Sequence, residues 1–81
     1  MFESFIGKRV SVIVSTRGDN VIEYTGVLSS EMENALEMTN VDISYLMLNY
    51  QRGFFGNGIS QYKTGVGKVV INKNYIISCN E

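Results

Sequence analysis

The sequence contains no histidine, no proline and a single cysteine, Cys79. One cysteine cannot form a disulfide within the chain, and without histidine or a cysteine pair no metal site is expected. The lack of histidine also leaves Cys79 without a base that would activate it as a nucleophile. No other set of residues supplies a nucleophile, a base and an oxyanion site, so neither enzymatic activity nor a cofactor is expected.

Long apolar stretches are also missing, and none approaches the roughly 20 residues that a membrane-spanning helix requires. The N-terminal residues lack the basic region and apolar run of a secretory signal. The expectation is therefore a cytoplasmic protein with a reduced cysteine and no membrane partner. The 81 residues predict a single domain, 1–81, whose core is small. Because disulfides and metal are excluded, self-association is the remaining source of stabilisation.

Charge is segregated along the chain, although the formal net charge is only −1. Residues 19–42 carry acidic side chains and no basic ones, whereas residues 51–80 carry basic side chains and no acidic ones. The small net charge argues against a protein that coats nucleic acid indiscriminately. The segregation itself fits a local basic patch, charge matching between subunits, or simply solvated strand faces.

Short apolar segments separated by turn residues predict a mainly β protein. Residues 1–6 predict one or two helical turns that end at Gly7, with an extended arm as the alternative. Residues 43–50 are apolar on both faces, which favours a strand buried on both sides or against another subunit, and leaves a helix open. Gly26, inside a strand, predicts a bulge, a sharp bend or close backbone approach. The predicted strands are 8–16, 21–30, 35–41, 43–50, 59–63, 66–72 and 75–79.

Two blocks of sequence, each anchored by glycine, carry further information. The first spans residues 7–38 and contains GKRVSVIV, EYTGVLSS and NALEM, and the second, residues 67–78, reads GKVVINKNYIIS. In order and spacing they resemble the two motifs of the Sm-like (Sm/LSm) family of ring-forming RNA-binding proteins. The resemblance implies a short N-terminal helix followed by a strongly bent, five-stranded antiparallel barrel. It puts the fourth strand at about Ile59 to Ile71 and the fifth at about Tyr75 to Cys79.

The resemblance also implies an assembly and an RNA site. In the family, the fourth strand of one subunit pairs with the fifth strand of the next, which here implies a homo-oligomeric ring between pentamer and heptamer. One base per subunit is held by an Asn, a stacking side chain and the Arg of an Arg-Gly pair. Asn34 matches the Asn, Met32 stands at the stacking position, and Asn72-Lys73 replaces Arg-Gly. Since the stacking guanidinium is absent, single-stranded RNA is expected to bind weakly or with altered specificity.

A second set of residues is expected to make contacts between subunits or rings. Phe54 and Phe55 lie among glycines, and aromatic and arginine side chains are enriched in interface cores, which favours an interface over a base-stacking platform. The candidate interface residues are Tyr50, Arg52, Phe54, Phe55, Val69, Ile71, Ile76 and Ile77. The alternative to an RNA-binding ring is a structural or adaptor ring protein, of a kind that would suit a virus or mobile element, which makes protein contacts without nucleic acid.

Overall fold

The computed structural model describes residues 2–16, 20–47 and 58–81. They form one antiparallel sheet of five strands in the order β4-β3-β2-β1-β5, preceded by a 3₁₀ turn at Glu3–Phe5. A second 3₁₀ turn, Lys73–Tyr75, connects β4 to β5. The prediction of a mainly β chain is confirmed. The strands are β1 (Arg9–Ser15), β2 (Asn20–Glu31), β3 (Ala35–Met47), β4 (Gly58–Asn72) and β5 (Ile76–Asn80).

The sheet is open, and β4 and β5 are its two edges. In the part of the chain that the structure describes, no ladder joins these edges, so the closure that the barrel prediction required is not observed. Two boundary predictions are corrected. The segment predicted as a separate strand at 43–50 continues β3 as far as Met47. The segments that the residue pattern separates, 59–63 and 66–72, are parts of one strand, β4, which agrees with the single fourth strand that the resemblance implies at about Ile59 to Ile71. In both cases a bulge takes up the irregularity without ending the strand.

The bulge between β2 and β3 is centred on Gly26. The pairing register shifts between Thr25 and Val27, and Asn40 on β3 adopts a φ of 52°, in the left-handed region. A Cβ on Gly26 would lie 2.8 Å from the Thr39 carbonyl oxygen. The close backbone approach predicted for this glycine is therefore confirmed.

A second bulge lies next to the first, between β3 and β4. The register shifts between Val41 and Ile43, and Gly65 on the opposite strand has a φ of 70°. The Gly65 amide donates a hydrogen bond to Asp42 Oδ1 at 3.2 Å. Because bulges increase twist and bend a strand, the two together deform three neighbouring strands at the same level of the sheet.

One face of the sheet holds the core. The period-two pattern of β1 turns its valines to this face, and β2, β3 and β4 add apolar side chains from theirs. The 3₁₀ turn at the N-terminus brings Phe2 and Phe5 against the same cluster. Hydrogen bonds from the Gly7 amide to the Leu28 carbonyl (2.8 Å) and from the Leu28 amide to the Lys8 carbonyl (3.0 Å) hold this segment to β2. The buried core residues are Val10, Val12, Val14, Leu28, Leu36, Met38, Val41 and Ile71.

Candidate nucleic-acid interface at the turn end of the sheet

The turn between β2 and β3 lies beside the 3₁₀ turn that follows β4. Ala35, the first residue of β3, pairs with Asn72, the last residue of β4, so the two turns leave the sheet at the same place. The Lys73 amide donates to the Asn34 carbonyl oxygen at 2.9 Å, and the Met32 amide donates to the Ala35 carbonyl oxygen at 2.8 Å. All four residues predicted to contact RNA are thereby brought together. We call this group, Met32, Asn34, Asn72 and Lys73, the turn cluster.

Three members of the turn cluster have exposed side chains. Met32 is 41% exposed, and Asn34 and Asn72 are also exposed. The Asn72 side chain has a local structural role, because its Oδ1 accepts a hydrogen bond from the Asn74 amide at 2.8 Å and caps the 3₁₀ turn. Asn34 offers an amide that can both donate and accept, next to the apolar surface of Met32.

Lys73, the fourth member, is engaged within the chain. Its Nζ lies 2.6 Å from Glu31 Oε2, and the two side chains are only 23% and 15% exposed. The same ammonium lies 5.7 Å from the centre of the Phe2 ring, within the range of a cation–π contact. The hydrogen bond from Lys73 is the main reason that the pKa of the Glu31 carboxyl is below its usual range, an effect that burial of the carboxyl opposes.

Sequence reasoning missed this ion pair. Neither the motifs nor the charge pattern assigns Glu31 as a partner of Lys73 or connects Phe2 with the site. The available signal was the opposite charge of Glu31 and Lys73 at two turns that the resemblance already placed together. The exposed groups of the turn cluster are two side-chain amides and the apolar surface of Met32. Within the described ranges, no three His, Cys, Asp or Glu side chains come together to hold a metal ion, and no helix is long and apolar enough to span a membrane.

The candidate interface residues that the structure describes fall into three groups. Ile77 on β5 is 58% exposed, Val69 and Ile76 are half-buried against the core, and Ile71 is 4% exposed and belongs to the core. The others, Tyr50, Arg52, Phe54 and Phe55, lie outside the described residues. The edges present two further apolar side chains that were not selected from the sequence as interface candidates, Val70 on β4 at 58% exposure and Tyr75 before β5 at 56%.

A scan of protein-family models, a search of curated proteins and a search of solved structures each found no match to this chain.

Proposed function

We propose that this chain is an Sm-like subunit that assembles into a closed homo-oligomeric ring and binds single-stranded RNA weakly or with altered specificity. The observation that carries this proposal is the 2.9 Å hydrogen bond from the Lys73 amide to the Asn34 carbonyl oxygen. It joins the two segments that match the RNA-contacting loops of the family, although they are far apart in sequence. The turn cluster is then a contiguous surface on which one nucleotide per subunit can be bound.

The open sheet supports the ring. In the described ranges each subunit has two different unpaired edges, β4 and β5, and such edges tend to pair with another chain. Exposed apolar side chains lie at both edges: Val70 lies on β4, and Tyr75 and Ile77 lie at or next to β5, all more than half exposed. Pairing β4 of one subunit with β5 of the next covers both edges and buries this surface.

In RNA binding, two side chains of the turn cluster contact the base in different ways. The Asn34 amide hydrogen-bonds to a base edge, and the exposed Met32 side chain provides an apolar surface for the base. Without a guanidinium to stack on the other side, the base is held on one face only. Affinity is therefore expected to be low, with little preference for uridine.

A second candidate is a ring that makes protein contacts and binds no nucleic acid. The observation that favours it is the pairing of Lys73 with Glu31, which neutralises the only basic side chain of the turn cluster. Glu33, in the same turn, adds a negative charge. A surface without net positive charge attracts the phosphate backbone weakly.

Two measurements test these proposals. Light scattering coupled to size exclusion is expected to give one discrete species between five and seven times 9.1 kDa, and a monomer at micromolar concentration would exclude the ring. Fluorescence anisotropy with uridine-rich, adenine-rich and mixed single-stranded RNA is expected to show weak binding that Asn34→Ala reduces. Asn20→Ala, an exposed asparagine at the opposite end of β2, is the matched control. A ring that binds none of the three RNAs at low salt would leave the protein-contact function.

A further inference from the structure

We infer that Glu31 is a specificity-determining residue of the RNA site. Its carboxylate is paired with the Lys73 ammonium, so that the turn cluster contacts the base and gains little binding energy from the phosphate backbone. This inference rests on the proposed RNA-binding function and adds to it the source of the binding energy. It predicts a site with shallow salt dependence, whereas a basic RNA site normally loses affinity steeply as salt rises.

The ion pair between Lys73 and Glu31 differs from the other ion pairs of the described residues. Its separation of 2.6 Å is the shortest, and it is the only pair in which both side chains are less than a quarter exposed. The others are Lys8 with Glu81 at 3.1 Å, Arg9 with Asp42 at 3.6 Å and Lys68 with Glu37 at 3.8 Å. Exposed ion pairs are screened and contribute little, so a covered pair retains its partner better than they do.

Two more contacts restrain Lys73. Its backbone amide is bonded to the Asn34 carbonyl oxygen, and its ammonium lies 5.7 Å from the Phe2 ring centre. A phosphate that recruited this lysine would have to replace the Glu31 carboxylate and draw the side chain away from Phe2. Because one oxyanion would be exchanged for another, the gain in binding would be small.

Glu31→Gln tests the inference, because it keeps the shape of the side chain and removes its charge. Glu33→Gln is the matched control, since it removes the same charge from the same turn, where the side chain is exposed. Affinity for a uridine-rich RNA is measured across a salt series for both variants, for Lys73→Met, and for the double variant E31Q/K73M. Circular dichroism melts check that each variant is folded. If Glu31→Gln does not fold, Glu31→Asp replaces it, because the shorter side chain moves the carboxylate away from Lys73.

The expected results are specific. Glu31→Gln strengthens binding at low salt by up to about fivefold, the range of a partly exposed ion pair. It also steepens the slope of log affinity against log salt by about 0.7 for each Lys73 that contacts a phosphate. Lys73→Met barely changes the slope in the wild-type background and abolishes the increase in the double variant. Glu33→Gln leaves the slope unchanged. An unchanged slope in Glu31→Gln, or the same increase in Glu33→Gln, would overturn the inference.

A readout without RNA separates this inference from the proposed function. Acylation of lysines by a water-soluble ester, followed by mass spectrometry, is expected to show slow modification of Lys73 relative to Lys68, and faster modification of Lys73 in Glu31→Gln. Unchanged Lys73 reactivity would overturn the inference even if RNA binds. If Lys73 is released but neither wild type nor Glu31→Gln binds RNA, the proposed function fails, and the specificity role fails with it. Binding by Glu31→Gln alone would support the inference.

Discussion

Gly26→Ala is expected to be among the most destabilising single-methyl additions in the chain. The new Cβ would lie 2.8 Å from the Thr39 carbonyl oxygen, 2.9 Å from the Asn40 carbonyl oxygen and 3.0 Å from Val41 Cα. All three are backbone atoms of the paired strand, so no side chain can rotate to make room. Overpacking of this kind costs about 1–3 kcal/mol, and we expect the upper half of that range because β2 and β3 must separate.

Two other glycines provide internal controls. Gly67 on β4 has no atom within 4 Å of an added Cβ and no positive φ, so Gly67→Ala should be neutral or stabilise by up to about 1 kcal/mol through the unfolded state. Gly65 also has open space but a φ of 70°, so Gly65→Ala should lose roughly 1–2 kcal/mol from backbone strain alone. The expected order of destabilisation is Gly26→Ala, Gly65→Ala, Gly67→Ala.

Thermal and urea unfolding would measure the series, at one protein concentration because the proposed assembly would contribute to stability. In a domain of this size, 1 kcal/mol corresponds to about 4–8 °C in Tm, so Gly26→Ala should melt at least about 8 °C below wild type. Equal stability of Gly26→Ala and Gly67→Ala would refute the reasoning, because it would mean that the close approach of β2 and β3 does not constrain residue 26.

Two further predictions concern titratable groups. Because the pKa of Glu31 is lowered in the folded chain, its ion pair with Lys73 should stabilise fully above the unfolded-state pKa of about 4.3 and be lost as pH falls through the folded-state pKa. Chemical unfolding from pH 7 to pH 3 should show this acid loss in wild type and not in Glu31→Gln; the same loss in both would contradict it. Burial raises the pKa of the Cys79 thiol, so iodoacetamide at neutral pH should alkylate it more slowly than the thiol of a C79S/N20C variant, which replaces an exposed residue away from both sheet edges. Equal rates would show that the Cys79 thiol is not shielded.

Much of the sheet could be predicted from the sequence because each β-strand is marked by a local pattern of alternating apolar and polar residues. The alternation along β1 and the isolated glycine at position 26 both depend on near neighbours. The continuity of β3 could not be predicted, since it depends on the bulges, whereas one long fourth strand, at about Ile59 to Ile71, was implied by the resemblance and not by the residue pattern. Asn40 accepts a φ of 52° there, and asparagine is only one of several residue types that tolerate the left-handed region, so its presence indicates no bulge by itself.

The sequence predicted that the two turns of the candidate site lie side by side, but it did not predict the ion pair between Lys73 and Glu31. The resemblance placed the turns of Asn34 and Lys73 together, and the structure joins them by a backbone hydrogen bond. Whether Lys73 points to solvent or to Glu31 depends on its side-chain rotamer, and in the structure its ammonium lies beside both Glu31 and the Phe2 ring. Phe2 lies far from both turns in sequence, so no local pattern connects it with them.

The two edges that the described strands leave unpaired constrain the proposed assembly further than their existence alone suggests. Pairing β4 with β4, or β5 with β5, gives a twofold dimer in which two edges stay open. Pairing β4 with β5 is a heterologous contact, and a closed ring is the finite assembly in which it leaves no edge uncovered. The two edge strands also differ in how they pair with their inner neighbours. The register between β1 and β5 shifts between Ile13 and Val14, so that Ile77 has no partner residue on β1. Val70 on β4, in contrast, lies directly opposite Glu37 on β3. A discrete dimer in light scattering would therefore contradict the ring, because it would mean that one edge recognises its own copy.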